Sequence, residues 1–414
     1  MKLFKNFYLL DFTKLLSSNV VAQLIAILIV PILTRIYTPE QFGFFALLTS
    51  LSSILIIFSC FGYEKALVIC QNKLERQIIV NFCFRVLLMN FILISVILIF
   101  FSFFNKKIFF DNQLSYFFFL VPILVFTGSL RNIYFNMANS QGRVDAISLS
   151  IINGSLINNL LALPLGFLNT FGLIVSKIVS EIISLIILAY SGNKEKKIFS
   201  SFEFKDYKFL IVKFKKYPFL SMPSNVLNEY IKQIPILFLS TLQSAASAGV
   251  YSLSDRVITK PLSIVGQAVS VPFKRKATIE FNSKGSCRHI LVQTFLFLIG
   301  IGILPFILLY FFAPALFEFI FGSEWKLAGV YVQILVPMFF MQFISSPLSF
   351  VLFIANKIEF DFIIHIIMTI VLSFCFVYGL FFQKDIELAL RLYSLSNVLI
   401  YGVCLCIYYK YSKA

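Results

Sequence analysis

The sequence predicts an all-α integral membrane protein with about twelve transmembrane helices in two pseudo-symmetric six-helix bundles. The 414 residues are 59% hydrophobic and only 13% charged, whereas a soluble domain carries roughly 25% charged residues. The apolar residues form blocks of about twenty, the length at which a helix crosses a ~30 Å hydrocarbon layer. The sequence lacks alternating ten-residue strands, and since backbone groups in lipid must be paired internally, helices are the expected solution.

The apolar blocks place six spans in each half of the chain. We expect these spans near 12–34, 42–69, 78–104, 113–137, 144–166, 170–191, 217–241, 249–274, 289–313, 327–354, 360–382 and 387–410. The first bundle would cover 1–191 and the second 217–414, joined by a basic cytoplasmic linker at 192–216. Residues 1–13 show no small-residue cleavage site, so we expect the first span to be its own insertion signal.

The distribution of Lys and Arg predicts the orientation. With the N-terminus in the cytoplasm, twenty-one of the 35 Lys and Arg fall in cytoplasmic segments and five in outside loops. This bias puts both termini in the cytoplasm and predicts a multi-pass protein of the bacterial inner membrane. It also accounts for the net charge of +16 without a nucleic-acid partner. The basic linker either lies against anionic lipid or grips an anionic substrate, and the first interpretation is favoured.

Charged residues also lie inside the predicted spans. We weigh four acidic residues against nine basic ones, the acidic residues being Glu64, Glu181, Glu229 and Asp255. The basic residues are Lys14, Lys65, Arg85, Arg131, Lys177, Lys232, Arg256, Lys260 and Arg391. Those near span ends are expected to snorkel to the interface. Each deeper charge would cost roughly 2.5–3.5 kcal/mol in lipid, so these residues should face protein or water.

The deeper charges fall three or four residues apart on their helices, close enough to pair. The opposite-charge pairs are Lys177 with Glu181 and Glu229 with Lys232, whereas Arg256 and Lys260 are two cations four residues apart. The span at 217–241 is also interrupted by prolines and carries further polar residues, which is tolerated at membrane depth only within protein or beside water. Two interpretations stay open. The pairs tie helices together, or they line a site whose positive surplus suits an anionic substrate.

Short motifs in both halves carry a family resemblance. PILTRIYTPEQFG at 31–43 is followed by YEKALVI at 63–69, and AGVYSL at 248–253 precedes PLS at 261–263. In order and spacing these resemble the motifs of Wzx-type O-antigen and polysaccharide flippases, in which the first reads PILTRLYTPEDFG. A fainter echo relates the two halves, because Gly43 follows a Pro-Ile-Leu run at 31–33 much as Gly249 follows one at 235–237.

The resemblance implies the fold of the multidrug/oligosaccharidyl-lipid/polysaccharide exporter superfamily, with two bundles in a V around a central cavity. It implies a flippase without enzymatic activity that moves undecaprenyl-diphosphate-linked repeat units across the membrane for O-antigen or capsule synthesis by alternating access. The candidates for substrate binding are Lys232, Arg256, Lys260, Asn225 and Asn228. The candidates for coupling or structural charge are Glu229, Asp255, Lys177, Glu181 and Glu64, and Arg35 is the candidate gate residue.

We expect no cofactor or metal, and coupling to H⁺ or Na⁺ is left open. Seven cysteines without a CxxC pair and the isolated His289 and His365 give no metal-binding pattern. The expected partners are the lipid-linked oligosaccharide, membrane lipids, and a polysaccharide polymerase with its chain-length regulator. Two alternatives remain. A drug or cation antiporter of the same superfamily would need an acidic cavity, and a membrane-embedded polysaccharide polymerase or ligase would normally have a large periplasmic loop.

Overall fold

The computed structural model describes residues 2–70, 72–104, 113–190, 204–355 and 357–413. Across this part of the chain the protein is α-helical and contains no β-strand, which confirms the predicted fold class. The stretch 192–203 of the predicted linker lies outside the described residues.

The described residues form fourteen α-helices. They are α1 (Lys2–Ile36), α2 (Pro39–Ser59), α3 (Lys73–Phe104), α4 (Val121–Ser140), α5 (Val144–Leu160), α6 (Thr170–Tyr190), α7 (Phe204–Lys213), α8 (Met222–Leu242), α9 (Ala245–Lys284), α10 (Arg288–Phe321), α11 (Lys326–Leu348), α12 (Val351–Ile354), α13 (Ile358–Phe376) and α14 (Ile386–Tyr411). Short 3₁₀ helices cover Tyr63–Val68, Gln113–Leu120, Pro164–Leu168 and Ser323–Trp325. π-helical turns cover Tyr217–Ser221 and Val377–Phe382.

Within the described residues, nine helical segments are long and apolar enough to cross a membrane, so this is a multi-span membrane protein. They coincide with nine of the predicted spans. The other three predicted spans, 144–166, 217–241 and 249–274, also form helices. Of these, α5 is shorter, and α8 and α9 are more polar than the nine. The two polar helices are those that carry most of the predicted site residues.

The helix observed at the predicted span 42–69 is shorter than expected. α2 ends at Ser59, and then Phe61 with φ 50° and Gly62 with φ 78° turn the chain before the 3₁₀ helix Tyr63–Val68. A residue with a side chain rarely adopts positive φ, and such a conformation cannot continue an α-helix. The predicted position of Glu64 inside a span is therefore wrong, because this residue lies beyond the end of α2.

The chain divides into two compact units. Unit 1 comprises Met1–Tyr37 and Phe44–Glu229, and unit 2 comprises Thr38–Gly43 and Tyr230–Ala414. The boundary between Glu229 and Tyr230 falls inside α8, so this helix contributes residues to both units. The assignment of 1–191 and 217–414 to separate six-helix bundles, made by counting spans, stays a prediction.

Small and polar residues fix the helices of unit 1 to one another. The Ser155 hydroxyl of α5 donates a hydrogen bond to the carbonyl of Ala22 in α1 at 2.6 Å. Tyr37, within the motif at 31–43, is buried and donates its hydroxyl to the carbonyl of Ala162 at 2.6 Å. Small residues and interhelical hydrogen bonds of this kind are typical of packing in lipid, where apolar burial does not drive helices together.

In unit 2 the two glycines of the internal echo lie against each other. A Cβ atom on Gly43 would lie 1.6 Å from the carbonyl oxygen of Ala245, and one on Gly249 would lie 1.8 Å from that of Pro39. Both distances are far below contact, and the obstructing atoms are backbone, so neither position has room for a side chain. The start of α2 and the start of α9 therefore cross at a contact that only glycine permits.

Candidate functional site

Glu181 is the centre of an ion cluster in unit 1. Its side chain is 8% exposed, and its Oε1 atom lies 2.6 Å from the Nζ atom of Lys177. Its Oε2 atom forms an ion pair with the guanidinium of Arg131. The contact with Lys177 is the one that the i,i+4 spacing predicts. The contact with Arg131 joins α6 to α4, and sequence reasoning missed it because the two residues are far apart in the chain.

The cluster holds one positive charge in excess. The side chains of Arg131 and Lys177 are 32% and 36% exposed, so the cations reach outward from a buried carboxylate. Removing one partner of a buried ion pair leaves an uncompensated charge and is strongly destabilising. The geometry therefore fits a tie between α4 and α6, the first of the two open interpretations for Lys177 and Glu181.

α8 carries the polar residues predicted for the span at 217–241. Asn228 and Lys232 are exposed and lie one helical turn apart, whereas Asn225 and Glu229 are half-buried. The side-chain amide of Asn225 donates hydrogen bonds to the carbonyl and, at 3.2 Å, to the hydroxyl of Ser221. α8 thus presents an amide and an ammonium group near its middle, and the π-helical turn just before it holds the amide of Asn225 in place.

α9 brings three of the predicted residues into unit 2. Asp255 and Arg256 are half-buried, and Lys260 is exposed one turn further along the helix. Asp255 lies near two neighbouring buried tyrosines, Tyr251 and Tyr393. Sequence reasoning missed this tyrosine pair. The sequence points to Tyr251, because this residue belongs to the motif AGVYSL. It gives no indication of Tyr393, which lies on α14 and comes close to Tyr251 only through the packing of the helices.

Arg35 and Glu64 lie apart from these helices in sequence, and both belong to unit 1. Arg35 is exposed at the last turn of α1. Glu64 is half-buried in the 3₁₀ helix Tyr63–Val68, and its Oε2 atom is buried without a hydrogen bond to any described residue. The predicted site residues are therefore distributed over both units, and neither unit contains them all.

The positive surplus at membrane depth is smaller than the nine cations and four anions of the sequence suggest. Lys14 pairs with Asp145 at 2.9 Å, and Arg391 pairs with Glu387 at 3.0 Å. These anions were not among the four considered. Both pairs are exposed, where such contacts contribute about 0–1 kcal/mol. In α8 the charges of Glu229 and Lys232 balance, so the remaining surplus lies in α9, in the cluster around Glu181 and at Arg85.

The functional groups of the candidate site residues are mainly ammonium, guanidinium and amide groups. Among the described residues, no group of three or more His, Cys, Asp or Glu side chains could hold a metal ion. All seven cysteines are free, and six of them are buried. Ammonium and guanidinium groups form charge-assisted hydrogen bonds with phosphates and carboxylates, and the planar fork of Arg does so with two parallel bonds.

Solved structures with similar folds are transporters. The chain is 15% identical to the lipid II flippase MurJ, with a TM-score of 0.63 over 98% of this chain and 87% of that one. It is 11% identical to a MOP superfamily transporter from Pyrococcus furiosus, with a TM-score of 0.61 over 96% and 94% of the two chains. A multidrug resistance MATE family transporter gives 12% identity and a TM-score of 0.59 over 95% and 93%. At these identities the likeness shows the fold alone.

The sequence comparison identifies the family. No curated protein sequence matches the chain significantly. Residues 32–330, however, match the family described as polysaccharide biosynthesis protein. This range begins in the motif at 31–43 and includes both α8 and α9. Since the match covers most of the chain and the fold is that of MOP superfamily transporters, the protein belongs to the polysaccharide biosynthesis protein family.

Proposed function

We propose that the protein is a flippase that moves lipid-linked oligosaccharides between the leaflets of the bacterial inner membrane. The observation that carries this proposal is the exposure of Lys232 and Lys260 in the interior of α8 and α9. A cation facing lipid near the middle of a helix costs roughly 2.5–3.5 kcal/mol. Water beside these two helices removes that cost, and a water-lined path bearing cations suits an anionic headgroup.

The substrate that fits best is an oligosaccharide joined to undecaprenyl diphosphate. Lys232, Arg256 and Lys260 would bind the diphosphate or acidic sugars, because these groups need charge-assisted hydrogen bonds when they leave bulk water. The amides of Asn225 and Asn228 would bind sugar hydroxyls. The prenyl chain would stay in lipid, because its apolar surface gains nothing from a hydrated path.

The remaining predicted residues would support this movement. Asp255 and Glu229 would orient the cations or couple transport to H⁺ or Na⁺, and Glu64, whose Oε2 atom is buried without a hydrogen bond to the described residues, is a further candidate for coupling. Arg35 would act as a gate residue. Both termini would be cytoplasmic. A polymerase and its chain-length regulator would use the translocated units to build O-antigen, capsule or another surface glycan.

A drug or cation antiporter is the second candidate function. It is favoured by Asp255, a half-buried carboxylate that lies near Tyr251 and Tyr393, since carboxylate and aromatic groups together attract organic cations. In α9, however, Arg256 and Lys260 accompany Asp255, so the net charge of this group is positive. This balance favours an anionic substrate over a cationic one.

Deletion of the gene in its native host tests the proposal. We expect lipid-linked repeat units to accumulate on the cytoplasmic face of the membrane and the surface polysaccharide to disappear, with both defects corrected by a plasmid copy. The readouts are extraction of lipid-linked sugars and immunoblotting of the surface glycan. A deletion strain with normal surface glycan and increased sensitivity to cationic drugs would instead identify the antiporter.

A further inference from the structure

The short helix α7 packs on unit 1 through one face. The side chains of Tyr207, Leu210 and Phe214 are buried in a core that includes Ile79 and Cys83 of α3. Tyr207 and Leu210 are three residues apart and share one side of the helix, and Phe214, just beyond its end, follows at a spacing of four. α7 is therefore attached to the bundle and does not belong to a free loop.

Three polar contacts fix this face in place. The Tyr207 hydroxyl donates a hydrogen bond to Oδ1 of Asn81 at 2.6 Å. The guanidinium carbon of Arg85 lies 5.2 Å from the centre of the Tyr207 ring. The Nζ atom of Lys213 forms an ion pair with Glu75 at 2.5 Å. Glu75 stands in the first turn of α3, so α7 lies at the level where this apolar span begins.

The opposite face of α7 carries apolar side chains that no core covers. Phe209 and Val212 are 60% and 61% exposed, and the exposed lysines Lys205 and Lys208 lie on the same side of the helix. A phenylalanine and a valine on this side would not be expected if the face contacted only water. Apolar residues flanked by lysines on one face are typical of helices that lie in the membrane surface.

We propose that α7 lies in the cytoplasmic surface of the bilayer and binds the headgroups of anionic phospholipids. Phe209 and Val212 would insert beneath the headgroups, while Lys205 and Lys208 would contact the phosphates and keep their aliphatic stems in the interface. Charge complementarity selects this occupant. The described residues 204–216 hold five lysines and one aspartate, and the cytoplasmic leaflet is the anionic one. This lipid site is separate from the transport path proposed above.

The test uses the full-length protein in lipid nanodiscs. In a Cys406→Ser background, which removes the exposed native cysteine, Val212→Cys is labelled with an environment-sensitive fluorophore. The nanodiscs contain phosphatidylcholine alone or mixed with phosphatidylglycerol, each with brominated acyl chains as the quencher. We expect quenching about threefold stronger in the anionic mixture, falling as salt screens the charges. A label at Ser283→Cys, exposed near the end of α9, should be quenched little in either lipid.

A charge variant separates headgroup binding from simple apolar insertion. Lys205→Gln with Lys208→Gln should abolish the response to phosphatidylglycerol. The matched double variant Lys326→Gln with Lys384→Gln removes the same charge on the predicted outer face and should keep the response. No quenching at position 212, or equal quenching in both lipids at every salt concentration, would overturn the proposal. The salt titration tests the proposal without any lysine variant. Neither readout requires transport, so a negative result for α7 leaves the flippase proposal intact.

Discussion

Glu181 and Lys232 are both charged residues near the middle of long helices, yet their surroundings differ. Glu181 is nearly buried in α6 and held between Lys177 and Arg131. Lys232 is exposed in α8, a helix more polar than the spans of unit 1 identified by length and composition. A charge at membrane depth needs either an opposite charge or water. The first solution serves stability, and the second places a charge at a surface that water and a ligand can reach.

The same contrast distinguishes two groups of charged residues that share i,i+4 spacing in the sequence. Lys177 with Glu181 and Arg256 with Lys260 both show i,i+4 spacing, but the first two residues carry opposite charges and the second two are both cations. In the structure the first pair closes on itself and recruits Arg131 from another helix, while Lys260 of the second is exposed. The following experiments ask whether this contrast is functional.

The largest expected effect is on folding. Glu181→Gln removes the carboxylate that holds Arg131 and Lys177, so two cations lose their partner in a partly buried site. Breaking a buried pair costs about 3–5 kcal/mol, and the partial exposure of both cations places this site toward the lower end. We expect a clearly reduced thermal midpoint and lower levels in the membrane, measured by fluorescence-detected size-exclusion chromatography after heating.

Glu387→Gln is the matched control, because it breaks an exposed pair with Arg391 on α14. Its expected cost is at most about 1 kcal/mol. If both variants melted at the wild-type temperature, the cluster around Glu181 would have no structural role. A Glu181→Gln protein that is stable but fails in transport would move Glu181 into the proposed coupling group.

The second prediction concerns transport at normal stability. Lys232→Ala and Arg256→Ala should each lower complementation of the deletion strain by roughly tenfold or more, since a charge-assisted hydrogen bond contributes about 1.5–3 kcal/mol. Lys232→Arg should keep partial function, because the charge remains although its shape changes. The measurement is surface glycan per unit of membrane-inserted protein. Wild-type glycan levels in the Lys232→Ala strain would remove that residue from the site.

Sequence alone predicts the fold class and most spans, because twenty-residue apolar blocks have few other uses. It misplaces Glu64, since the positive φ of Phe61 and Gly62 ends α2 early and hydropathy does not report backbone turns. For the site, spacing within a helix predicts the contact of Lys177 with Glu181. It cannot predict Arg131 or Tyr393 as partners, because those contacts depend on how helices pack.

The third prediction is smaller and tests the charge balance of the cluster. Lys177→Gln leaves the ion pair of Arg131 with Glu181, which is neutral as a unit. We therefore expect a loss well below that of Glu181→Gln, about 1 kcal/mol or less. The thermal midpoint is again the measurement. A loss equal to that of Glu181→Gln would mean that both cations are required and that the cluster has no surplus.

The last prediction asks whether the exposed face of α8 meets water or lipid. Cysteines at Asn228 and Lys232, introduced singly into a Cys406→Ser background, should react with a membrane-impermeant maleimide. Cysteines at the half-buried positions Asn225 and Glu229 should react more slowly. The thiolate adds to the double bond of the maleimide, and a thiol ionises only in contact with water.

The deciding control is a second residue that is exposed in the structure but lies in an apolar span. Ile370 of α13 is exposed on the protein surface, as Lys232 is, yet it belongs to a segment apolar enough to face lipid. Ile370→Cys should stay unlabelled until the membrane is dissolved, because no water reaches it. Ile231→Cys should also stay unlabelled, since this residue is buried, not lipid-facing. Equal protection of positions 228, 232 and 370 would mean that α8 faces lipid or dry protein, and Lys232 would then join Glu181 as a structural charge.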